Sequence, residues 1–145
     1  MKKLFTLASL LLSCFVGCKN KDNQPARAQD DVSAARRFIR SALDGRFDEA
    51  RTYLLPDSAN IQYLDVAALN YNRAPKDTIA AYKSSSIIVY QIDPVNDSTT
   101  VVVYYNSFKN DHDTLKVLKV NGQWLVDLKY LYLHDLDTIR LQPSK

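Results

Sequence analysis

The sequence predicts an α+β domain in which amino-terminal helices pack on a curved antiparallel sheet of about four strands. Two changes along the chain predict it. From Val32 to Tyr71 apolar residues recur every three or four positions, whereas from Ile87 to Tyr130 short runs rich in Val, Ile, Thr and Tyr alternate with turn-forming clusters. Asn121-Gly122 adds the strongest hairpin signal, because both central positions of a type I′ turn need positive φ.

Ahead of that domain, Lys2 and Lys3 precede an apolar run from Leu4 to Val16, and Gly17 stands directly before Cys18. The run is well short of the roughly 20 residues that a membrane-spanning helix needs, so residues 1–17 read as a cleaved signal segment. The segment resembles the lipobox of bacterial lipoproteins, in which the cysteine thiol takes a diacylglycerol and becomes the new amino terminus. That resemblance implies lipid attachment at Cys18 and a membrane partner reached through the lipid. Phe15 stands where leucine is usual. Cys14, after Leu11, Leu12 and Ser13, is a competing match, but apolar Phe15 and Val16 follow it whereas Lys19, Asn20 and Lys21 follow Cys18. Residues 18–29 are polar, contain Pro25 and read as a flexible tether; residues 30–141 form the single domain and 142–145 a tail. Acidic residues directly after the acylated cysteine resemble a surface-export signal of Bacteroidota lipoproteins. Only Asp22 is present here, so a periplasm-facing position in a Gram-negative envelope is expected, with neither membrane singled out.

Composition fits one small exported domain. Removing 17 of 145 residues leaves 128, and removing Lys2 and Lys3 takes Lys+Arg from 19 to 17 against 16 Asp+Glu. A formal charge of +1 gives no reason to expect nucleic acid as a partner. Only Cys18 would survive processing, and acylation would consume it, so no intramolecular disulfide is expected.

The helices are read from caps and stripes. Asp30 or Asp31 caps the first, whose Val32, Ala35, Ile39 and Ala42 share a face with Phe38 and Leu43 beside them, and Gly45 stops it. Arg36, Arg37 and Arg40 are then its solvated face. A second helix is predicted from about Phe47 to Leu55, with Phe47, Ala50, Tyr53 and Leu54 as its stripe and Pro56 as its end. Asp57 or Ser58 starts a third, in which Ile61, Leu64, Ala68 and Tyr71 repeat the spacing until Pro75. Asp77 to Lys83 adds a short fourth.

Strands are predicted over Ile87–Ile92, Thr99–Phe108, Thr114–Val120 and Gln123–Tyr130, as an antiparallel meander. The Asn121-Gly122 turn fixes the last pair. Leu115, Val117 and Lys119 should face Leu128, Val126 and Trp124 on the side covered by helices, and Lys116, Leu118 and Val120 should face Asp127, Leu125 and Gln123 on the other. Asp127 therefore reads as a cross-strand ion-pair partner of Lys116 rather than a catalytic base.

This order of elements, with Phe38, Leu43, Gly45, Phe47, Ala50 and Leu54 in the helices and Asn121-Gly122-Gln123-Trp124-Leu125-Val126-Asp127-Leu128 in the last hairpin, resembles the nuclear transport factor 2-like, cystatin-related domains. More narrowly, it is similar to a small lipoprotein domain of unknown function found in Bacteroidota. The resemblance covers about Asp31 to Tyr130. It implies a cone with helices over the concave sheet face, which holds a small molecule, an active site or only side chains. Enzymes of that fold, such as ketosteroid isomerases and polyketide cyclases, place an acidic or histidine base inside the cone. The inward face predicted here, Leu115, Val117, Lys119, Trp124, Val126, Leu128 and Tyr130, offers neither.

No catalytic residue, metal site or cofactor is expected. His112 lies in a predicted loop, Asp111-His112-Asp113, where neighbouring side chains are usually solvated, and His134 beside Asp135 has no serine or cysteine partner. Three glycines, at 17, 45 and 122, are too scattered for a phosphate loop. Tyr104, Trp124 and Tyr130 are the ligand-pocket candidates, and of Tyr104 and Tyr105 one must point inward and the other outward. Asp57-Ser58, Asp77-Thr78, Asp97-Ser98, Asp113-Thr114 and Asp137-Thr138, each followed by a further residue of the same triplet, resemble sites of Bacteroidota O-glycosylation. Ser58, Thr78, Ser98, Thr114 and Thr138 are the acceptors that resemblance implies, although capping alone explains most such triplets. The expected role is a non-enzymatic binding or assembly module of the cell envelope, with a small-molecule carrier or an isomerase- or cyclase-like enzyme as the alternative. Leu118, Val120, Leu125 and the Val101–Val103 run leave apolar groups on the outer face, to be covered by the tail from Leu131, by a second protomer or by another envelope protein.

Overall fold

A computed structural model describes residues 28–131. The signal segment, Cys18, most of the tether, Thr138 and the tail beyond Leu131 lie outside the described residues.

Four helices precede a four-stranded antiparallel sheet of order β1-β2-β3-β4. Helix α1 (Asp31–Leu43) begins where the Asp30 carboxylate accepts the Ser33 amide at 2.7 Å, satisfying a donor that has no partner inside the helix. It buries Ala34, Ala35, Phe38 and Ile39 and touches all four strands, so it is the lid of the core. Gly45 follows with φ of +77°, and a Cβ there would stand 2.6 Å from the Tyr71 ring, so backbone and space both require glycine.

Helix α2 (Phe47–Thr52) stops earlier than its periodicity predicts. The reason lies in the sheet. Val126 donates its amide to the Tyr53 carbonyl at 2.8 Å and accepts the Leu55 amide at 2.9 Å, so Tyr53–Leu55 leaves the helix to pair with the edge of the last strand. Tyr53 and Leu54 are consequently buried. Helix α3 (Ser58–Arg73) is capped by Asp57, and α4 (Lys76–Ser84) follows Pro75 with no side-chain cap.

The strands are β1 (Ile87–Asn96), β2 (Thr99–Asn106), β3 (Asp111–Val120) and β4 (Gln123–Asp127). Lys116 pairs with Asp127 and Lys119 with Trp124, the register expected from the turn, in which Asn121 and Gly122 have φ of 50° and 76°. Four strand boundaries differ from the sequence reading, the first being β2, which ends at Asn106 rather than Phe108 because residues 107–110 form the turn into β3. Asp111, His112 and Asp113 belong to β3 rather than to a loop, because they stay paired with Asn106, Tyr105 and Tyr104. β1 runs on to Asn96. β4 ends at Asp127 and residues 128–131 are helical, because the Leu128 amide, free of the ladder, donates to the Asn60 side chain at 2.7 Å.

The inner face of the sheet is filled. Val102, Leu115, Val117 and Val126 are each at most 1% exposed and close against Phe38, Ile39, Tyr53, Leu54 and Leu64. Burying a side chain of that size contributes roughly 1.5–3 kcal/mol, so this layer carries most of the packing. The inward set is shorter than predicted. Lys119 is exposed, its ammonium 5.5 Å from the centroid of the half-buried Trp124 ring, and Tyr130 lies in the helical turn beyond the sheet.

Candidate functional site

The outer face of the sheet is built by alternation. In β2, Thr100, Val102, Tyr104 and Asn106 point inward and are buried, so Thr99, Val101, Val103 and Tyr105 point outward and are half-buried. Their partners on β3 are Leu118, Lys116, Thr114 and His112. On β1, the register shifts between Val89 and Gln91, which leaves Tyr90 as the extra residue of a bulge. A bulge re-aims side chains locally. Here Tyr90 stands edge-on to His112 with ring centroids 4.9 Å apart, and Tyr105 meets the same imidazole at 5.7 Å. The Tyr105 hydroxyl donates to Asn110 at 2.7 Å, which orients the ring. Ile88 lies opposite Tyr105. Tyr90 is 71% and Ile88 55% exposed, so an aromatic-aliphatic patch stands open around one histidine. It is a surface for stacking and apolar contact.

A second constellation is polar, with Asn60 and Asp127 buried and Asp57 and Lys129 half-buried. The Asn60 side chain, fully buried, donates to Asp57 at 2.8 Å and to Asp127 at 3.1 Å and accepts the Leu128 amide. Lys129 Nζ bonds Asp57 at 2.5 Å and lies 3.6 Å from Asp127. The Lys129 ammonium, with the Asn60 amide, holds the Asp57 carboxyl at about 2, and Asp57 in turn raises the Lys129 pKa. The group is a latch between the start of α3 and the end of β4, and its carboxylates are spent on internal partners. The cross-strand ion pair expected of Asp127 with Lys116 is therefore corrected. Their backbones pair, but the carboxylate turns to Asn60 and Lys129, a buried amide and a nearby ammonium, rather than to Lys116.

The helices leave a third feature, a groove of about 310 Å³ lined by Leu43, Phe47, Val66, Asn70, Tyr71 and Tyr82. Phe47 meets Tyr71 edge-on at 5.5 Å, Tyr71 stacks on Tyr82 at 5.8 Å, and Tyr82 lies 4.3 Å from Phe108. Arg40, expected on the solvated face of α1, instead donates to the Ser85 carbonyl at 2.8 Å and to the Tyr82 carbonyl at 3.2 Å, tying α1 to α4.

The three pocket candidates do not converge. Tyr104 is the inward tyrosine, 7% exposed, with its hydroxyl 3.4 Å from Asp113. Trp124 pairs with Lys119, six residues along β3 from Asp113, a separation of roughly 20 Å in a strand. Tyr130 is in the helical turn after β4. Of the glycosylation candidates, Ser58 opens α3 and Ser98 lies in the β1–β2 turn, both exposed, whereas Thr78 in α4 and Thr114 in β3 are half-buried. Of the four described triplets only that of Asp57 caps a helix; Asp77 lies within α4, Asp97 in the β1–β2 turn and Asp113 inside β3, so helix capping does not explain most of them. Among the described residues no cluster of three His, Cys, Asp or Glu is arranged to hold a metal ion. No helix among them is long and apolar enough to cross a membrane.

Sequence reasoning passed over Asn60 and Tyr90. Asn60 sits three residues after a capping aspartate, a spacing that brings its amide within reach of the cap, and only the fold supplies Asp127 and Leu128. Tyr90 carries no signal, because a bulge is not visible in a run of β-formers. Compared with protein-family models, curated proteins and solved structures, the chain matches none.

Proposed function

We propose that this chain is a lipid-anchored envelope protein whose domain is a non-enzymatic binding or assembly module, holding another envelope protein against the outer face of its sheet. The observation that carries the reading is the contrast between a sealed inner face and the open patch of Ile88, Tyr90, Tyr105 and His112. Interfaces favour aromatic side chains at their centres, and such a patch beside a sheet edge that no described strand covers suits a partner that lays a strand or an apolar surface on β1. The lipobox-like Leu4–Cys18 segment supports the anchor. Helices over an antiparallel sheet, in that chain order, support a nuclear transport factor 2-like cone, here packed with side chains.

A photo-crosslinking residue at Ile88, in the full chain expressed in its own membranes, is expected to give one discrete protein adduct. Tyr90→Asp should abolish it. A ladder of random adducts, or one indifferent to Tyr90→Asp, would sink the reading; an adduct of twice the chain's mass would make the partner a second copy. Intact mass of the gently purified protein is expected to match a triacylated chain from Cys18. The groove beside Tyr71 and Tyr82 favours a second reading, a small-molecule carrier. A ligand mass that disappears on denaturation is the result expected of it.

A further inference from the structure

The outer side of α1 carries a feature that the docking reading does not use. Ser33, Arg36, Arg37, Arg40 and Ser41 recur at helical spacing on one side of α1 and, with Arg46 and Glu49 across from them, line a cavity of about 440 Å³. Its guanidinium groups differ in what they do. Arg40 is locked by the Tyr82 and Ser85 carbonyls and by Asp44 at 2.8 Å. Arg46 is held by Asp44 at 2.5 Å and Glu49 at 2.6 Å. Arg36 and Arg37 are exposed and have no hydrogen-bond or ion-pair partner among the described residues. Four arginines against the two carboxylates, Asp44 and Glu49, leave a local charge of +2.

Two polar atoms beside these arginines are buried. Ser41 is 1% exposed, and its hydroxyl has no hydrogen-bond partner among the described residues; the buried Arg40 Nε has none either. A hydroxyl in a helix usually satisfies itself on a carbonyl one turn back, and a buried polar atom left unpaired costs about 1–3 kcal/mol. These two atoms sit on residues that line the arginine cavity. We propose that this cavity binds a phosphate group, with the exposed Arg36 and Arg37 closing on its oxygens as charge-assisted forks beside the fixed charges of Arg40 and Arg46. A phosphate offers only acceptors, and apart from Glu49, already engaged by Arg46, the charged wall offers donors. The group arrives either on a phospholipid headgroup or as soluble phosphate.

The test uses the full chain in a non-ionic detergent at constant ionic strength, titrated calorimetrically with inorganic phosphate and, separately, with a short-chain phosphatidylglycerol. Saturable binding of at least one probe is expected. Binding of inorganic phosphate assigns the site to soluble phosphate, and binding of phosphatidylglycerol alone assigns it to a headgroup. Arg36→Ala with Arg37→Ala should weaken the bound probe about tenfold or more without lowering the melting temperature of the free protein. Arg36→Lys with Arg37→Lys, which keeps charge but loses the fork, should recover only part of it. No saturable binding of either probe below about 10 mM, or binding indifferent to both arginines, overturns the proposal. Neither result bears on the sheet face, whose variants test the docking reading separately.

Discussion

At β4 and at β1 the same sheet ends in different ways. The β4 edge is paired by Tyr53–Leu55, and its last residues are tied to α3 through Asn60, Asp57 and Lys129. The β1 edge has no described strand beside it, and from Tyr90 to Asn96 every residue is exposed, including Ile92 at 46% and Val95 at 61%. Pro94 and Asp93 lie in this stretch, residues that discourage unwanted strand pairing. One edge is thus finished by the chain itself, with backbone bonds and a buried polar latch. The other has no strand beside it among the described residues and is guarded by Asp93 and Pro94.

The contrast breaks most visibly at Leu54. It is 2% exposed within the segment that covers β4, and Leu54→Ala is expected to cost about 3 kcal/mol, read by chemical denaturation. Asn60→Ala comes next, at about 2–3 kcal/mol, because it strands the Leu128 amide and removes a partner from Asp127. An Asn60→Ala protein as stable as the parent would show that the latch is ornamental and that the edge is sealed by packing alone.

Asp57→Asn sharpens the comparison through pH. The folded pKa of about 2 lies below the ordinary 3.8, so the carboxylate's contribution is complete above about pH 4 and is lost as pH falls toward 2. The melting temperatures of parent and variant should therefore differ near neutrality and converge toward pH 2. Asparagine remains a good cap, so a difference that persists at low pH would assign the effect to capping instead. The smallest effect belongs to the open edge. Ile88→Ser should change stability by no more than about 0.5 kcal/mol, since 55% of the side chain is already in water.

Much of this architecture can be read from the residues. The α1 stripe and its Asp30 cap, the Asp57 cap, the change of period after α4 and the Asn121-Gly122 register are local effects, set by neighbours a few positions away. The misread positions are those where a distant group decides. Tyr53 and Leu54 have helical spacing, yet the Val126 backbone draws them out of the helix; Asp127 has Lys116 across from it, yet Asn60 from α3 takes its carboxylate. Arg40 looks like one more solvated arginine until Tyr82 and Ser85 arrive from 42 and 45 positions away. The exposed aromatic patch depends on a bulge that puts Tyr90 beside His112, a two-strand effect with no signature in either strand.

The placement of α1 has a consequence for the order in which the molecule is made. It is the first element of the domain, yet it touches β4, whose first residue Gln123 comes 80 positions after Leu43. Its apolar stripe must wait for nearly the whole domain to be synthesised before it can be covered. Closing so long a loop precedes the reward of the contact, which slows folding and keeps partial chains from becoming compact. A polypeptide of this topology emerging amino end first stays open until β4 is out, so shortening it by even the last hairpin should leave α1 uncovered and the fragment prone to capture by chaperones and proteases.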